Sequence, residues 1–153
     1  MAITAQNSTQ AAIFADPSLG RIEPTDSGGL RLARFDFVQD GAGDANSTAA
    51  LVRMPAGKVR IIGPLSRIAF SALGTSRTLD VGHTAATKLD GDELAADDDA
   101  FAAAIAAATA GSAALTGEVL VETRDGFTLE AKVKGGTIPN AATLSGYVAY
   151  LMG

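Results

Sequence analysis

"EVLVETRDGFTLEAKVKGG", residues 118–136, carries the clearest fold signal in this chain. Apolar and polar side chains alternate on both sides of the dipeptide Asp125-Gly126, which is the period of a strand with one buried face. The apolar set, predicted to point inward, is Val119, Val121, Phe127, Leu129, Ala131 and Val133. An Asp-Gly pair between two alternating runs is the strongest short-range signal for a β-hairpin. The stretch therefore predicts two strands joined by a tight turn.

The same period of two recurs earlier in the chain, in "RLARFDFV" (31–38), "STAALVR" (47–53), "KVRIIGPLSRIAF" (58–70) and "RTLDVG" (77–82). Gly63-Pro64 inside the third of these predicts a break or bulge, because proline cannot donate to a central strand ladder. The C-terminal stretch "TLSGYVAYLMG" (143–153) is apolar on both faces. That pattern is typical of a strand that is buried or covered by a partner subunit.

An alanine-rich segment is the one helix candidate. Asp97, Asp98 or Asp99 is placed to cap a short helix through "AFAAAIAAA" (100–108), and Gly111 follows its end. The whole chain then holds six to eight strands and at most one short helix. We predict a mainly β fold, a single β-sandwich or barrel-like domain.

The first part of the chain differs from the rest. Residues 1–29 have no sustained period and include two prolines and a Gly28-Gly29 break. We predict an extended N-terminal arm over 1–29 and a β domain over 30–153, with an acidic, Ala-rich insertion at about 85–115. The candidate anchors of the arm to a partner are Ile13, Phe14, Leu19 and Arg21.

Composition excludes several classes of protein. A chain of 153 residues has the length of one domain. It contains no cysteine, which excludes disulfides, thiolate catalysis and Cys-ligated metals. A net charge of −5 argues against a nucleic-acid partner. Because we find no signal-peptide pattern and no apolar run long enough to span a bilayer, we expect a soluble protein with no membrane partner.

The charge is unevenly distributed along the chain. Basic residues prevail in the first half of the domain, and six acids crowd one later loop: Asp90, Asp92, Glu93, Asp97, Asp98 and Asp99. Such polarity can steer docking onto an oppositely charged surface. We predict that Arg31, Arg34 and Arg60 add a salt-sensitive contribution to partner binding.

Catalytic chemistry has little support in the sequence. His83 is the only histidine, no G-x-S-x-G elbow is present, and a lone histidine after a strand is more often a hydrogen-bonded turn or interface residue than a base or pH switch. The acids of Asp90–Asp99 do not follow the EF-hand spacing. We expect an exposed acidic loop there, with structural cation binding as the alternative. We predict no catalytic site, no metal and no cofactor.

Three segments carry a resemblance to a known group of proteins: residues 60–87, the acidic segment after them, and residues 123–151. Together they resemble small structural proteins of tailed bacteriophages that decorate or cement the head, similar to those of phages infecting marine bacteria. The likeness covers roughly residues 50–153 and is most specific in "TLDVGHTA" (78–85) and "GGTIPNAATLSGYVAYL" (135–151).

The resemblance implies a non-enzymatic role. Many copies, made in the host cytoplasm, would bind the outer face of the capsid and bridge subunits of the major capsid protein. It also implies a small homo-oligomer, with a trimer favoured and a dimer as the other option.

The alternative is a small ligand- or receptor-binding β-sandwich, such as a carbohydrate-binding or head-fibre domain. Sugar-binding sites usually stack the sugar on exposed aromatic side chains. This chain has no Trp, and its two tyrosines, Tyr147 and Tyr150, lie in the strand predicted to be buried, which disfavours the alternative.

Overall fold

The computed structural model describes residues 29–153, so the predicted arm, apart from Gly29, lies outside the described residues. Twelve strands are assigned there: β1 (Arg31–Val38), β2 (Thr48–Met54), β3 (Gly57–Ile62), β4 (Arg67–Phe70), β5 (Thr78–His83), β6 (Ala86–Thr87), β7 (Glu93–Leu94), β8 (Asp97–Ala106), β9 (Gly111–Ala114), β10 (Glu118–Thr123), β11 (Phe127–Lys134) and β12 (Thr143–Met152). A single 3₁₀ turn, Gly63–Leu65, accompanies them in this part of the chain.

The strands form two main antiparallel sheets. In the six-stranded sheet, β12 pairs with β1 along one edge and with β4 and then β3 along the other, while β9 and β10 lie outside β4 and β3. The four-stranded sheet has the order β2–β11–β5–β8, and β6 and β7 form a separate short ribbon. Neither main sheet closes on itself. Of the two predicted architectures, the fold is therefore the β-sandwich and not the barrel.

Two pairs of short strands act as interrupted long strands. The 3₁₀ turn Gly63–Leu65 separates β3 from β4, which confirms the break predicted at Gly63-Pro64. The next position in the sheet is interrupted in the same way, because β10 pairs with β3 and β9 pairs with β4. Counted by position, the sheets are β1–β12–β3/β4–β9/β10 and β2–β11–β5–β8. This eight-position order is that of a jelly roll.

Alternating inward side chains of both sheets build one core. The apolar residues predicted to point inward from β11 are all buried, and Phe127 and Leu129 are fully enclosed. They join residues of the six-stranded sheet such as Val59, Ile61 and Val148. Strand β12 lies between β1 and β3/β4 in the centre of its sheet. Its Leu144 and Val148 are buried in the core, whereas Tyr147 and Leu151 on the outward face are half-exposed, so the prediction of a buried strand holds for the inward face.

The predicted hairpin at Asp125-Gly126 is wrong. Its two strands lie in different sheets: β10 pairs with β3, and β11 pairs with β2 and β5. Of the two turn residues, Gly126 takes a positive φ of 85° and Asp125 does not. A Cβ at Gly126 would lie 2.4 Å from the carbonyl oxygen of Met54. The turn therefore crosses from one sheet to the other, and its glycine serves a close backbone approach.

The predicted helix over residues 100–108 is also wrong. Residues 97–106 form β8, which pairs with β5 and bulges at Ala104, where φ is 53°. Phe101 and Ala102 are buried against the core. Pairing with β5 and burial of Phe101 outweigh the helix preference of alanine, since propensity yields to tertiary context. No helix within residues 29–153 is long and apolar enough to cross a bilayer.

Candidate functional site

Strand β1 forms an open edge of the six-stranded sheet. Within the described residues it pairs only with β12, which leaves its outer row of backbone groups free. Its outward side chains include Leu32, 53% exposed, and Val38, 61% exposed. Monomeric proteins usually protect such edges with charge, bulges or cover. An open edge that carries large apolar side chains is therefore a candidate site for a partner.

Exposed apolar side chains concentrate on this sheet. Six large ones are exposed among residues 29–153: Leu30, Leu32, Val38, Leu65, Leu89 and Leu120. All but Leu89 belong to the six-stranded sheet, its 3₁₀ turn, or the residue just before β1. The outward side of the four-stranded sheet has none of them, so the two faces of the sandwich differ in character.

A row of polar side chains crosses the outer face of the six-stranded sheet beside β1. Arg34 pairs in register with Tyr147, and Tyr147 pairs with Arg67. The ion pairs of the described part of the chain do not involve either arginine. We call the set Leu32, Arg34, Val38, Tyr147 and Arg67 the β1 face.

A glycine shapes the centre of the β1 face. A Cβ on Gly146 would lie 2.0 Å from the carbonyl oxygen of Arg67, so only glycine allows β12 to approach β4 this closely. A shallow groove of about 460 Å³ opens here between Arg34, Asp36 and Tyr147.

The structure separates the residues predicted for docking. Arg60 shares the outer face with Arg34, but its Nη1 lies 3.4 Å from Glu118 Oε2, so its charge is already paired. Arg31, at the start of β1, points to the opposite side of the sheet from Arg34 and is paired with Tyr150. The arm residues Ile13, Phe14, Leu19 and Arg21 lie outside the described residues.

Sequence reasoning missed Arg67, Tyr147 and the apolar pair of β1 as parts of one surface. The alternation of "RLARFDFV" puts Arg34 on the face opposite Phe35, and in the structure Phe35 is buried and Arg34 points outward. Which residue lies beside it depends on the register of three strands that are distant in the chain. No local pattern specifies that register.

Charged side chains cluster on the other sheet. Carboxylate oxygens of Asp80, Asp98 and Asp99 lie within 4.8 Å of one another. Lys134 contacts Asp80 and lies 3.6 Å from Asp98, and Lys132 Nζ lies 2.9 Å from Asp98 Oδ2. Two ammonium groups thus offset part of the negative charge of the three carboxylates.

The pKa values of the cluster follow these contacts. A hydrogen bond from Lys132 lowers the pKa of Asp98. A hydrogen bond with Asp97 raises the pKa of Asp99, and a hydrogen bond with Asp80 raises the pKa of Lys134. Asp80 is only 3% exposed and also accepts a hydrogen bond from the backbone N–H of Ala104, 2.7 Å away, at the β8 bulge.

His83 is a packed core residue. Its ring lies between Phe101 and Phe127, with both ring centroids 5.9 Å away. Nδ1 lies 2.9 Å from the carbonyl oxygen of Thr84, so Nδ1 carries the hydrogen. The hydrogen bonds of residues 29–153 do not join His83 to a hydroxyl group.

Solved structures with a similar fold come from a phage capsid and a virus. A chain of the cyanophage Pam1 capsid asymmetric unit matches 99% of this chain and 100% of its own length, with a TM-score of 0.61 and 18% identity. A chain of infectious bursal disease virus, Gt strain, matches 82% of this chain with a TM-score of 0.51 and 13% identity, and the match covers 32% of that longer chain. No protein-family model matches, and no curated protein matches the sequence.

At these identities the likeness shows the fold. The chain thus has a jelly-roll fold, and the Pam1 match covers 99% of this chain and 100% of the other.

Proposed function

We propose that this chain is a non-enzymatic structural protein of a phage virion, which binds the outer surface of the major capsid protein shell and cements the head. One observation carries the proposal. The chain matches a complete chain of a cyanophage capsid asymmetric unit from end to end, so a domain of this size and fold serves as a whole chain there.

The β1 face supports the proposal because it has the makeup of a docking surface. Leu32 and Val38 supply apolar contact area, and Arg34 and Arg67 supply charge that no carboxylate of the described residues neutralises. Arg34 lies between Leu32 and Val38 along β1, and arginine and tyrosine are both enriched in protein interfaces. We expect carboxylates on the capsid surface opposite the two arginines.

The N-terminal arm is the second proposed contact. In the chain it comes directly before the exposed Leu30 and strand β1, which carries the β1 face. Ile13, Phe14, Leu19 and Arg21 are its proposed anchors. An extended segment can bind by adding a strand to a partner's sheet, which needs few specific side chains.

The proposed assembly is a homo-oligomer on the capsid surface, a trimer before a dimer, because capsid positions of three-fold and two-fold symmetry accept such groups. The proposed partners are the major capsid protein and further copies of this chain. The proposal includes no nucleic-acid or membrane partner.

One observation favours a second candidate, a ligand- or receptor-binding domain. Tyr147 lines the groove of the β1 face and is half-buried, so part of its ring is accessible to a sugar. If this candidate holds, the wild-type protein should bind a glycan array and Tyr147→Ala should abolish that binding. Absence of binding by the wild-type protein would remove this candidate.

The proposal is tested by charge placed in the β1 face. Leu32→Glu should weaken binding to undecorated phage heads by about tenfold or more, because a carboxylate would have to be desolvated in the interface. Leu89→Glu is the matched control, since Leu89 is also exposed but lies in the β6–β7 loop. Equal binding by both variants would remove the β1 face from the proposal.

A further inference from the structure

A second cavity lies away from the β1 face, on the opposite side of the sandwich. It opens between β10, an edge strand of the six-stranded sheet, and the start of β8, with the β6–β7 loop beside it. Its volume is about 500 Å³, within the size range of small-ligand pockets. Its apolar walls are Leu89, Leu94, Ala100, Val119, Leu120 and Val121.

The polar groups that line this cavity are nearly all hydrogen-bond acceptors. His83 is 5% exposed, and its Nδ1 donates to the carbonyl oxygen of Thr84, which leaves Nε2 as the acceptor of the neutral ring. Nε2 has no hydrogen-bond partner among residues 29–153. The other acceptors are the carboxylates of Asp90, Asp97 and Glu122, and Lys88 is the only lining side chain that is a cation.

The three carboxylates retain lone pairs that can accept further hydrogen bonds. Asp90 Oδ1 accepts the backbone N–H of Asp92 at 3.0 Å, and Asp97 Oδ1 accepts that of Asp99 at 3.3 Å. Glu122 Oε1 lies 3.6 Å from Lys58 Nζ, at an exposed ion pair. The Asp97 carboxylate is also hydrogen-bonded to that of Asp99, whereas the second oxygens of Asp90 and Glu122 have no hydrogen-bond partner within residues 29–153. An anionic ligand would be repelled here, and a ligand without donors would leave the acceptors unpaired.

We propose that this cavity binds an alkylammonium group, the amine at the end of an unbranched aliphatic stem. The stem lies against the apolar walls, and the ammonium lies among the acceptors of the lining, with the Glu122 carboxylate as its counter-charge. Such a group can come from a free aliphatic diamine or from a lysine side chain of a partner protein. The inference does not depend on the proposed capsid role.

The test uses the full-length protein and the diamine cadaverine, followed by NMR of the methyl groups. Cadaverine should produce saturable shifts at Leu94 and Val121, whereas the uncharged diol of the same length should not. Glu122→Gln should weaken cadaverine binding by about tenfold, the loss expected for one charge-assisted hydrogen bond.

Glu118→Gln is the matched control and should change the affinity less than about twofold. Glu118 lies in the same strand, on the same outward side, and also pairs with a basic residue of β3, but it does not line the cavity. A capped lysine tripeptide, titrated in parallel, identifies the source: tighter binding than cadaverine indicates a partner side chain, and weaker binding a free amine.

Absence of saturable shifts with both amines would overturn the proposal. So would equal shifts with the diol, or equal losses in the two glutamate variants. The proposed capsid role would survive each of these outcomes, because capsid binding is measured separately.

Discussion

Asp98 and Asp99 are adjacent in the chain, yet their carboxylates meet opposite surroundings. Lys132 holds the pKa of Asp98 below its ordinary value of 3.8, so the stability this contributes is present above that pH and is lost as the pH falls through the lowered value. The hydrogen bond with Asp97 holds the pKa of Asp99 above 3.8, so its contribution is present below that pH and is lost as the pH rises through the raised value.

Because the two pKa shifts have opposite directions, replacing either aspartate by asparagine is predicted to change the Tm in opposite directions. At neutral pH, Asp98→Asn should lower the Tm and Asp99→Asn should raise it, each by about 1–3 °C, because the pairs are partly exposed. Thermal unfolding at neutral pH measures both. Near pH ~2, where carboxyls are largely protonated, the differences from the wild type should shrink. Shifts of the same sign at neutral pH would contradict this account of the cluster.

Arg34 is the single residue whose charge matters most for the proposed docking. Arg34→Glu should weaken capsid binding by about tenfold at low salt and much less at about 1 M salt, where screening removes most of the effect. Arg124→Glu changes the net charge equally but lies in the turn between β10 and β11. If both variants respond to salt alike, net charge and not the β1 face governs binding.

At the scale of the element, β8 holds the clearest strain. Ala104 takes a φ of 53°, a left-handed conformation that costs a non-glycine residue about 1–2 kcal/mol. Ala104→Gly should therefore raise the free energy of unfolding by about 0.5–1 kcal/mol, net of the added flexibility of the unfolded chain. Ala103→Gly, at the exposed neighbouring position without positive φ, should lower it by about 0.5–1 kcal/mol. Chemical denaturation of both variants checks the contrast, and a loss of stability in both would show that the bulge is not strained.

Local patterns predicted most strands but not their partners. The alternation predicted β1, β3 and β5 as strands, and in β10 and β11 it also predicted the buried face. The hairpin and helix predictions were wrong for one shared reason. The pairing of β10 with β3 and of β8 with β5 joins residues far apart in the chain, and the local signal at Asp125-Gly126 or in the alanine run contains nothing about those partners.

At the scale of the whole molecule, the sandwich has two different faces. The six-stranded sheet carries the exposed leucines and valine and the open β1 edge, whereas the four-stranded sheet carries the paired charges of Lys132, Lys134 and the aspartates. The uneven charge was readable from the sequence. Its division between two sheets was not, because Asp80 and the acidic segment meet only through the β5–β8 pairing.

The arm is proposed to act in binding and not in the folding of the domain. Deleting residues 1–20 should abolish capsid binding and leave the Tm of the protein unchanged, because the two sheets and their shared core lie within residues 29–153. Thermal unfolding and capsid binding of the truncated chain check the two statements separately. Undiminished binding would contradict the arm's role, and a fall in Tm would show that the arm packs on the domain.

The central claim is attachment to the outer surface of a phage head, and co-sedimentation of the purified protein with undecorated heads tests it most directly. The account predicts saturable binding at a fixed number of copies per capsid, and that number would identify the symmetry position occupied. Absence of binding across salt and calcium conditions would contradict the account and favour a receptor- or glycan-binding domain.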